Sequence, residues 1–346
     1  MRILFRSAGG RTPKEQLGLG HIFRCINLAS MFEKPSLYFL IEDFGGVKKL
    51  LIERKFRNIS LLKKNIDLKS DIKKTIDYIK RNKIDIIVID KYLLNPDYAK
   101  QINKYVKTVI ITDLDNIQYK ADLVVSGYIG YKNQEKINSL GTRCLLGPKF
   151  QILSKKFSKI KKRSRSEYVL LATFGGFDDK NISELLLETI SKYLLTIKTK
   201  IILGPSSKKS KKIIQIAKKF PKQLEIVKET KDMPKEMSNT KYGISAGGLT
   251  SYEFAAMKIP FAIICQVPHQ LKTAKIWEKK GIAINLGLVD TKTPKKIDDF
   301  LKKIEGQRIS LKKIRSLDMD AKGSMRIKRE ILRLYRLSNI LKVTLD

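Results

Sequence analysis

The feature that most constrains the fold of this chain is a regular alternation of short apolar runs with segments of helical period. This alternation is typical of βα units and a parallel sheet, because each crossover helix covers one face of the sheet. It begins again after a stretch rich in Lys, Arg and Ser at 155–166, which has the composition of an interdomain linker. The 346 residues suffice for two domains of ~150 residues each. We therefore predict an α/β protein with two Rossmann-like, doubly wound domains in series.

The predicted elements divide the chain into an N-terminal domain over 1–155, a C-terminal domain over 166–290 and a basic helical tail over 291–346. We expect a cleft at the carboxyl ends of the two sheets, where open α/β sheets bind ligands. The predicted strands are Ile3–Phe5, Leu37–Ile41, Asn58–Leu61, Ile84–Asp90, Val106–Thr112, Leu123–Val125, Tyr168–Thr173, Lys200–Leu203, Leu224–Val227, Tyr242–Ser245 and Phe261–Cys265. The predicted helices include His21–Phe32, Ser70–Asn82, Asn181–Leu195, Lys208–Phe220, Leu249–Met257 and Gln270–Lys280, and the tail ends in an apolar stripe at Ile327–Leu337.

The net charge is strongly positive, +37 at pH 7, from 71 Lys and Arg against 34 Asp and Glu. Such a charge fits a nucleic-acid binder, a protein that rests on an anionic membrane, or an enzyme for phosphorylated substrates. It also fits a surface on which Lys is simply favoured, because the lysines are spread along the whole chain. We expect no nucleic-acid partner, since aromatic stacking motifs and zinc spacing are missing. Peripheral contact with an anionic membrane or another polyanion stays open.

The cysteines and the apolar runs bear on where the protein works. Cys25, Cys144 and Cys265 are odd in number and widely spaced, which supports neither a disulfide framework nor a zinc site. An arginine at position 6 interrupts the N-terminus too early for the apolar core of a signal peptide. No apolar run approaches the ~18 residues of a membrane span. We expect a cytoplasmic, monomeric protein with reduced thiols and without a cofactor.

Two glycine-rich turns follow predicted strands and open helices. Gly18-Leu19-Gly20-His21 could admit an anion to a helix N-terminus, but no third glycine completes a dinucleotide fingerprint, and the signal is weak because a plain strand-to-helix turn also explains it. The stronger turn is Ser245–Glu253, in which two glycines precede two hydroxyl residues that suit a diphosphate. Glu253, one helical turn further on, could bind the two hydroxyls of a ribose. A third turn, Thr173–Asp178, contains Gly175 and Gly176 and would face the same cleft.

The chain has two histidines, His21 and His269, and both follow a strand or a glycine loop. At a helix N-terminus His21 would be held neutral, as a general base at pH 7 must be. Helix capping is the alternative role for either histidine. Asp113 and Asp115 form a D-x-D pair that could hold a divalent ion, although acidic turns after strands usually cap helices. We predict no metal site.

Several motifs resemble those of the UDP-sugar hydrolases of pseudaminic acid biosynthesis. Gly18–Cys25 resembles the G-x-G-H-x-x-R-C signature of that family, and Asp90-Lys91-Tyr92 resembles its D-x-Y. Leu145–Phe150 resembles L-L-G-P-x-Y/F, and Phe174–Asp178 resembles F-G-G-x-D. The segment 245–260 resembles the nucleotide-binding loop shared with the lipid II-forming GlcNAc transferase. The resemblance covers roughly residues 1 to 290.

This resemblance implies a GT-B-like arrangement of two Rossmann-like domains, used for hydrolysis. Water would attack the anomeric carbon of a UDP-linked 2,4-diacetamido-trideoxy sugar, and UDP would leave without a metal. His21 matches the histidine that orients or activates the water, and Tyr92 matches a tyrosine of the cleft. The residues implied to bind the substrate or UDP are Gly18, Gly20, Arg24, Gly175, Gly176, Gly247, Gly248, Thr250, Glu253, His269 and Gln270.

Two departures from the family pattern leave alternatives open. Arg6 is followed by Ser7-Ala8-Gly9, where the family has Arg-Ala-Asp, and His269-Gln270 stands where the family has Asn-Gln. The second change puts the exact sugar in doubt, but it does not weaken the prediction of UDP binding. The alternative function is a GT-B glycosyltransferase that uses a UDP-sugar donor in surface polysaccharide biosynthesis.

Overall fold

The computed structural model describes residues 1–10, 18–113, 115–160, 163, 166–176, 178, 180–204, 211–309 and 312–343, with the side chains at 35, 211 and 339–343 left out. The chain divides into two compact units. The first contains Met1–Lys155 together with Asp320–Asp346, and the second contains Lys156–Met319. Each unit is a parallel-sheet α/β domain, so the predicted fold class is confirmed.

The described residues of the first unit form a sheet of order β3-β2-β1-β4-β5-β6-β8-β7, parallel except for the β7–β8 pair. Its elements up to residue 146 are β1 (Ile3–Gly9), α1 (Gly20–Ala29), β2 (Leu37–Asp43), α2 (Val47–Glu53), β3 (Asn58–Leu62), α3 (Leu68–Asn82), β4 (Ile86–Asp90), α4 (Pro96–Asn103), β5 (Lys107–Thr112), β6 (Leu123–Ser126), β7 (Gln134–Ile137) and β8 (Arg143–Leu146).

Alternation along β1 divides the core of the first unit between the two faces of the sheet. Ile3 and Phe5 point to the face covered by α1 and α2, whereas Leu4 points to the face covered by α3 and α4. Because both faces are covered, the central strands are almost continuously apolar. The covering helices have local signals of their own, since the Asp67 carboxylate accepts a hydrogen bond from the amide of Ser70 and caps α3.

The second unit has a parallel sheet of order β11-β10-β9-β12-β13-β14 in its described residues. α5, α6 and α10 cover one face, and α8 and α9 contribute Phe254 and Trp277 to the other, where both rings pack on Phe261. The elements are β9 (Tyr168–Thr173), α5 (Ile182–Ile190), β10 (Thr199–Leu203), α6 (Lys211–Lys219), β11 (Leu224–Lys228), α7 (Met233–Ser238), β12 (Thr240–Ser245), α8 (Leu249–Ala256), β13 (Phe261–Cys265), α9 (Pro268–Lys279), β14 (Ala283–Leu288), α10 (Thr293–Glu305) and α11 (Lys312–Ser316).

The predicted tail over 291–346 is wrong as a separate segment, because its two halves belong to different units. α10 buries Ile297 and Phe300 in the core of the second unit, which therefore extends beyond residue 290 to Met319. The last helix, α12 (Gly323–Val343), returns to the first unit and buries Ile327 and Ile331 against the face that carries α1. The start of the predicted helix at 208–210 lies outside the described residues.

No helix in the described part of the chain is long and apolar enough to cross a membrane.

Candidate active site

The first group of candidate residues lies at the carboxyl edge of the sheet of the first unit. The helix α1 begins at Gly20, so His21 is in its first turn. Asp90 is the last residue of β4 and is fully buried. The two side chains meet, and His21 Nδ1 lies 2.7 Å from Asp90 Oδ1.

We assign the tautomer of His21 from this contact with the carboxylate. A lone pair on Nδ1 would repel a carboxylate oxygen at that distance, so Nδ1 carries the proton and donates it to Asp90. Arg24 Nη2 is also 2.8 Å from Nδ1; one of its two N–H groups donates to Asp90 Oδ1 at 2.6 Å, and with Nδ1 protonated the other does not donate to the ring. The lone pair of the neutral ring is then on Nε2, where it can accept a proton.

Arg24 holds the Asp90 carboxylate from the other side. Its Nε and Nη2 donate to the two oxygens of Asp90, at 2.9 and 2.6 Å, and its Nη1 lies 3.1 Å from Asp113 Oδ2. Burial opposes the charge of Arg24, but the carboxylates of Asp90 and Asp113 outweigh burial and raise the pKa of the guanidinium. Arg24 is therefore a charged, 5% exposed link between two carboxylates. This position fits a residue that orients Asp90 better than the predicted contact with UDP.

Asp113 follows the last residue of β5 and has a half-exposed side chain. Loss of part of the surrounding water acts to raise the pKa of its carboxyl, but the nearby Arg24 guanidinium outweighs this effect, and the pKa falls below its usual value. The carboxylate is thus occupied by Arg24. In the described part of the chain, no group of three or more His, Cys, Asp or Glu side chains could hold a metal ion.

Tyr92 and the two glycines complete the edge of the first unit. The ring of Tyr92 is 6.3 Å from the ring of His21, centre to centre, at an angle of 57°. Gly18 and Gly20 are exposed, and a Cβ built on either would meet no atom within 4 Å. The start of α1 thus places the exposed Gly18 and Gly20 next to His21, whose ring lies close to that of Tyr92.

The second group lies at the carboxyl edge of the sheet of the second unit. β9 ends at Thr173 and leads into Gly175, whose φ of 83° is in the left-handed region that favours glycine. Gly204, directly after β10, packs against this turn so closely that a Cβ would be 2.2 Å from the carbonyl oxygen of Gly175. β12 ends at Ser245, and Gly248 precedes α8 with no atom within 4 Å of a built Cβ. The unpaired N–H groups of this helix start can face an anion.

Thr250 and Glu253 lie in the first turns of α8. Burial raises the pKa of Glu253 to about 7, although a hydrogen bond with Thr250 acts to lower it. A carboxyl group of this kind accepts hydrogen bonds from hydroxyl groups, which is the role predicted for it toward a ribose.

Gln270 and His269 are in the first turn of α9. The Gln270 Oε1 accepts a hydrogen bond from the amide of Gln266 at 2.8 Å, and the side chain of Gln270 also packs on Gly247. Gln266 in turn donates from Nε2 to the carbonyl oxygen of Phe174 at 2.7 Å. The loops after β9, β12 and β13 are therefore joined by amide side chains. His269 is exposed at this edge.

Sequence reasoning missed the roles of Asp90 and Gln266. Asp90 was recognised only as part of D-x-Y, but it ends a strand whose neighbour in the sheet is β1, and Ser7 Oγ donates to its carbonyl oxygen at 2.8 Å. An aspartate at the end of a buried strand, next to a helix that begins with histidine, was the available signal. Gln266 gave no such signal, because glutamine is common in surface loops.

The chain has detectable relatives among curated proteins, although no family model matches it. An uncharacterised protein of Methanocaldococcus jannaschii is 28% identical over 72% of this chain, which spans about half (54%) of that relative. The spore coat polysaccharide biosynthesis protein SpsG of Bacillus subtilis is 27% identical over 74% of this chain and 79% of its own. The UDP-2,4-diacetamido-2,4,6-trideoxy-beta-L-altropyranose hydrolase of Campylobacter jejuni is 26% identical over 82% of this chain and 98% of its own length. The resemblance inferred from the sequence motifs is confirmed.

Solved structures agree with the fold. Acinetobacter baumannii MurG superposes with a TM-score of 0.67 at 15% identity, covering 96% of this chain and 100% of that chain. The Staphylococcus aureus MnaA–UDP structure superposes with a TM-score of 0.57 at 12% identity, covering 96% and 98%. At these identities the likeness establishes a shared fold of two Rossmann-like domains.

Proposed function

We propose that the protein is a hydrolase that cleaves UDP from a UDP-linked 2,4-diacetamido-trideoxy sugar in the biosynthesis of a nonulosonic, pseudaminic-type acid. The name of the Campylobacter jejuni relative supports an enzyme that acts on a UDP-sugar, and that of SpsG supports a role in polysaccharide biosynthesis. The observation that carries the proposal is the His21–Asp90 pair, which is arranged as a base and its orienting carboxylate and can activate a water.

The proposed reaction follows from the atoms of this pair. His21 Nε2 accepts a proton from water as the water oxygen forms a bond to the anomeric carbon. The bond from that carbon to the diphosphate oxygen breaks, and UDP leaves with the electron pair. Asp90 stabilises the imidazolium that forms, because it accepts the hydrogen bond from Nδ1. Tyr92 is proposed to line the sugar site.

The second unit is proposed to bind UDP through the residues at its carboxyl edge. The backbone N–H groups that follow Gly248 would stabilise the leaving diphosphate, and Glu253 would bind the ribose hydroxyls. Gly175, Gly176 and Gly247 would let the backbone approach the ligand, and His269 and Gln270 would contact it from α9.

The proposal is tested by measuring UDP release from UDP-2,4-diacetamido-2,4,6-trideoxy-β-L-altrose, without an acceptor and with EDTA present. We expect steady release of UDP and of the free sugar. UDP binding without release would contradict hydrolysis of this substrate and favour a transferase that requires an acceptor. Release that occurs only after addition of a divalent metal would contradict the proposed role of the α8 N–H groups.

The role of His21 is tested in the same assay. His21→Ala removes the proposed base, and general-base catalysis contributes ~100- to 10,000-fold, so turnover should fall by that order while UDP affinity stays nearly unchanged. His269→Ala is the matched control, since His269 is proposed to bind rather than to accept the proton. Retained turnover in His21→Ala would exclude His21 as the base.

A further inference from the structure

Four charged side chains form a buried cluster in the first unit, on the other side of the sheet from His21. Arg6 Nη2 lies 2.7 Å from Asp71 Oδ2 and 3.5 Å from Glu42 Oε2. Lys91 Nζ lies 2.8 Å from the same Asp71 oxygen and 3.2 Å from the same Glu42 oxygen. Two cations thus share two carboxylates. We call these four residues the four-charge cluster.

The four-charge cluster is electrically balanced only when all its members are present. The Arg6 side chain is fully buried, and those of Asp71 and Glu42 are 3% and 9% exposed. Burial acts to raise the pKa of Asp71, but Arg6 and Lys91 outweigh burial and hold the pKa below its usual value. Without Lys91, two buried carboxylates would face one guanidinium. The charge balance therefore favours an ammonium group that remains in contact with both carboxylates.

Lys91 is also the residue between the two candidate site residues of the β4–α4 turn. Asp90, before it, binds His21, and Tyr92, after it, faces the His21 ring. Leu93 follows with a φ of 47°, in the left-handed region that a leucine rarely adopts, and its side chain is exposed. The turn is therefore in a conformation that its own residues do not favour, and contacts outside it must maintain it.

The alternation of side chains places the cluster and the His21 pair on opposite faces of the same sheet edge. Arg6 points toward α3, which supplies Asp71, whereas the next residue, Ser7, donates to the Asp90 carbonyl. Lys91 reaches the α3 face, and Asp90 reaches the α1 face. The turn is consequently fastened on both sides of the sheet.

We propose that Lys91 is a positioning residue, whose ammonium group fastens the β4–α4 turn to Asp71 and Glu42 and so keeps Asp90 and Tyr92 in register with His21. The part of this inference that concerns turnover rests on the proposed hydrolase function. The part that concerns the His21–Asp90 hydrogen bond does not.

A second lysine in the chain provides a matched control. Lys200 in β10 of the second unit also bridges two carboxylates, Glu225 at 2.9 Å and Glu236 at 2.7 Å, and its side chain is 11% exposed against 17% for Lys91. It lies at the second residue of its strand, at the amino edge of the sheet. Lys200→Met therefore controls for the loss of a lysine that bridges two carboxylates, although Glu225 and Glu236 are 43% and 20% exposed, against 9% and 3% for Glu42 and Asp71.

The experiment compares full-length Lys91→Met, Lys91→Arg and Lys200→Met by NMR and by UDP-release kinetics. The chain has two histidines, so the Nδ1–H signal of His21 is assigned by its persistence in His269→Gln. We expect Lys91→Met to shift or broaden this signal and to lower kcat at least ~10-fold with KM within ~3-fold, since a misplacement of ~1 Å can cost ~100-fold. Lys91→Arg keeps the charge and should stay within ~3-fold of the parent.

Other results would overturn the proposal. An unchanged His21 signal in folded Lys91→Met, or an equal loss of kcat in Lys200→Met, would show that Lys91 is structural only. If Lys91→Met does not fold, Glu42→Gln, which removes one carboxylate contact, must shift the same signal, or the proposal is wrong. Failure of the parent protein to release UDP would refute the proposed function, while the NMR comparison would still decide the role of Lys91.

Discussion

Glu253 is a candidate site residue whose ionisation depends on the fold. Its pKa is about 7 in the folded chain against an ordinary value of 4.5, because burial disfavours the carboxylate. The unfolded chain therefore releases this proton at lower pH than the folded chain does. The neutral form contributes its full stabilisation below pH 4.5, and this stabilisation is lost as the pH rises through about 7.

We expect the free energy of unfolding of the parent protein to fall by about 2–3 kcal/mol between about pH 4.5 and pH 8 from this group. Glu253→Gln cannot ionise, so it should lack this decrease and be more stable than the parent at about pH 8. Urea titrations at about pH 4.5 and about pH 8 measure the free energy of unfolding, and Glu53→Gln, at an exposed glutamate, is the control. Equal pH dependence in Glu253→Gln and the parent would contradict the assignment.

At the same scale, the sequence predicted His21 but not its partners. A histidine after a glycine turn at a helix start is a local pattern, and it can be read from four consecutive residues. The link from His21 through Asp90 and Arg24 to Asp113 joins α1, β4 and the end of β5, which are far apart in the chain. Spacing alone could not show that Arg24 would be enclosed between two carboxylates. It was therefore predicted to contact UDP.

At the scale of elements, the glycine loops of the second unit offer a pair of substitutions with opposite expectations. In Gly204→Ala the new Cβ would overlap the Gly175 carbonyl oxygen, so the loop after β9 must move, at a cost of about 1–3 kcal/mol. In Gly248→Ala the Cβ has no atom within 4 Å and the φ of −103° suits alanine, so stability should not change. Both variants should bind UDP at least ~10-fold more weakly. In Gly248→Ala the only cause should be contact between the new methyl group and the diphosphate.

Calorimetric titration with UDP and thermal unfolding without ligand separate the two cases. Parent-like UDP affinity in Gly248→Ala would exclude the start of α8 as the diphosphate site.

Two strands that are buried almost throughout were predicted accurately. Tyr168–Thr173 and Phe261–Cys265 match the structure at both ends, because each is a continuous, largely buried apolar run. The strand β7 was missed, since its residues Gln134–Ile137 are all exposed and carry no apolar alternation. The helices α2 and α4 were also missed, being only seven and eight residues long, too short to establish a helical period.

At the scale of the whole molecule, the course of the C-terminal segment could not be read from its composition. The apolar stripe at 327–337 was visible, but a stripe indicates only that a helix packs on something. In the structure the helix that carries this stripe packs on the first unit. Ile327 and Ile331 join the core around α1, and Ser324 Oγ donates to the Leu153 carbonyl at 2.7 Å. A charged surface on such a helix says nothing about which core its other face enters.

Ending the chain after Met319 should therefore weaken the first unit and spare the second. Ile327 and Ile331 are both 0% exposed, and each fully buried isoleucine contributes about 1.5–3 kcal/mol, a large share of the 5–15 kcal/mol typical of a domain. Scanning calorimetry should show that the unfolding transition of the first unit moves to lower temperature or is lost. The midpoint temperature of the second unit's transition should still rise with added UDP. Ile331→Ala in the full chain, at about 2–5 kcal/mol, should move the same transition. Unchanged melting of the shortened chain would mean that α12 does not complete the core of the first unit, and loss of the UDP-dependent rise would mean that the second unit needs the first to bind UDP.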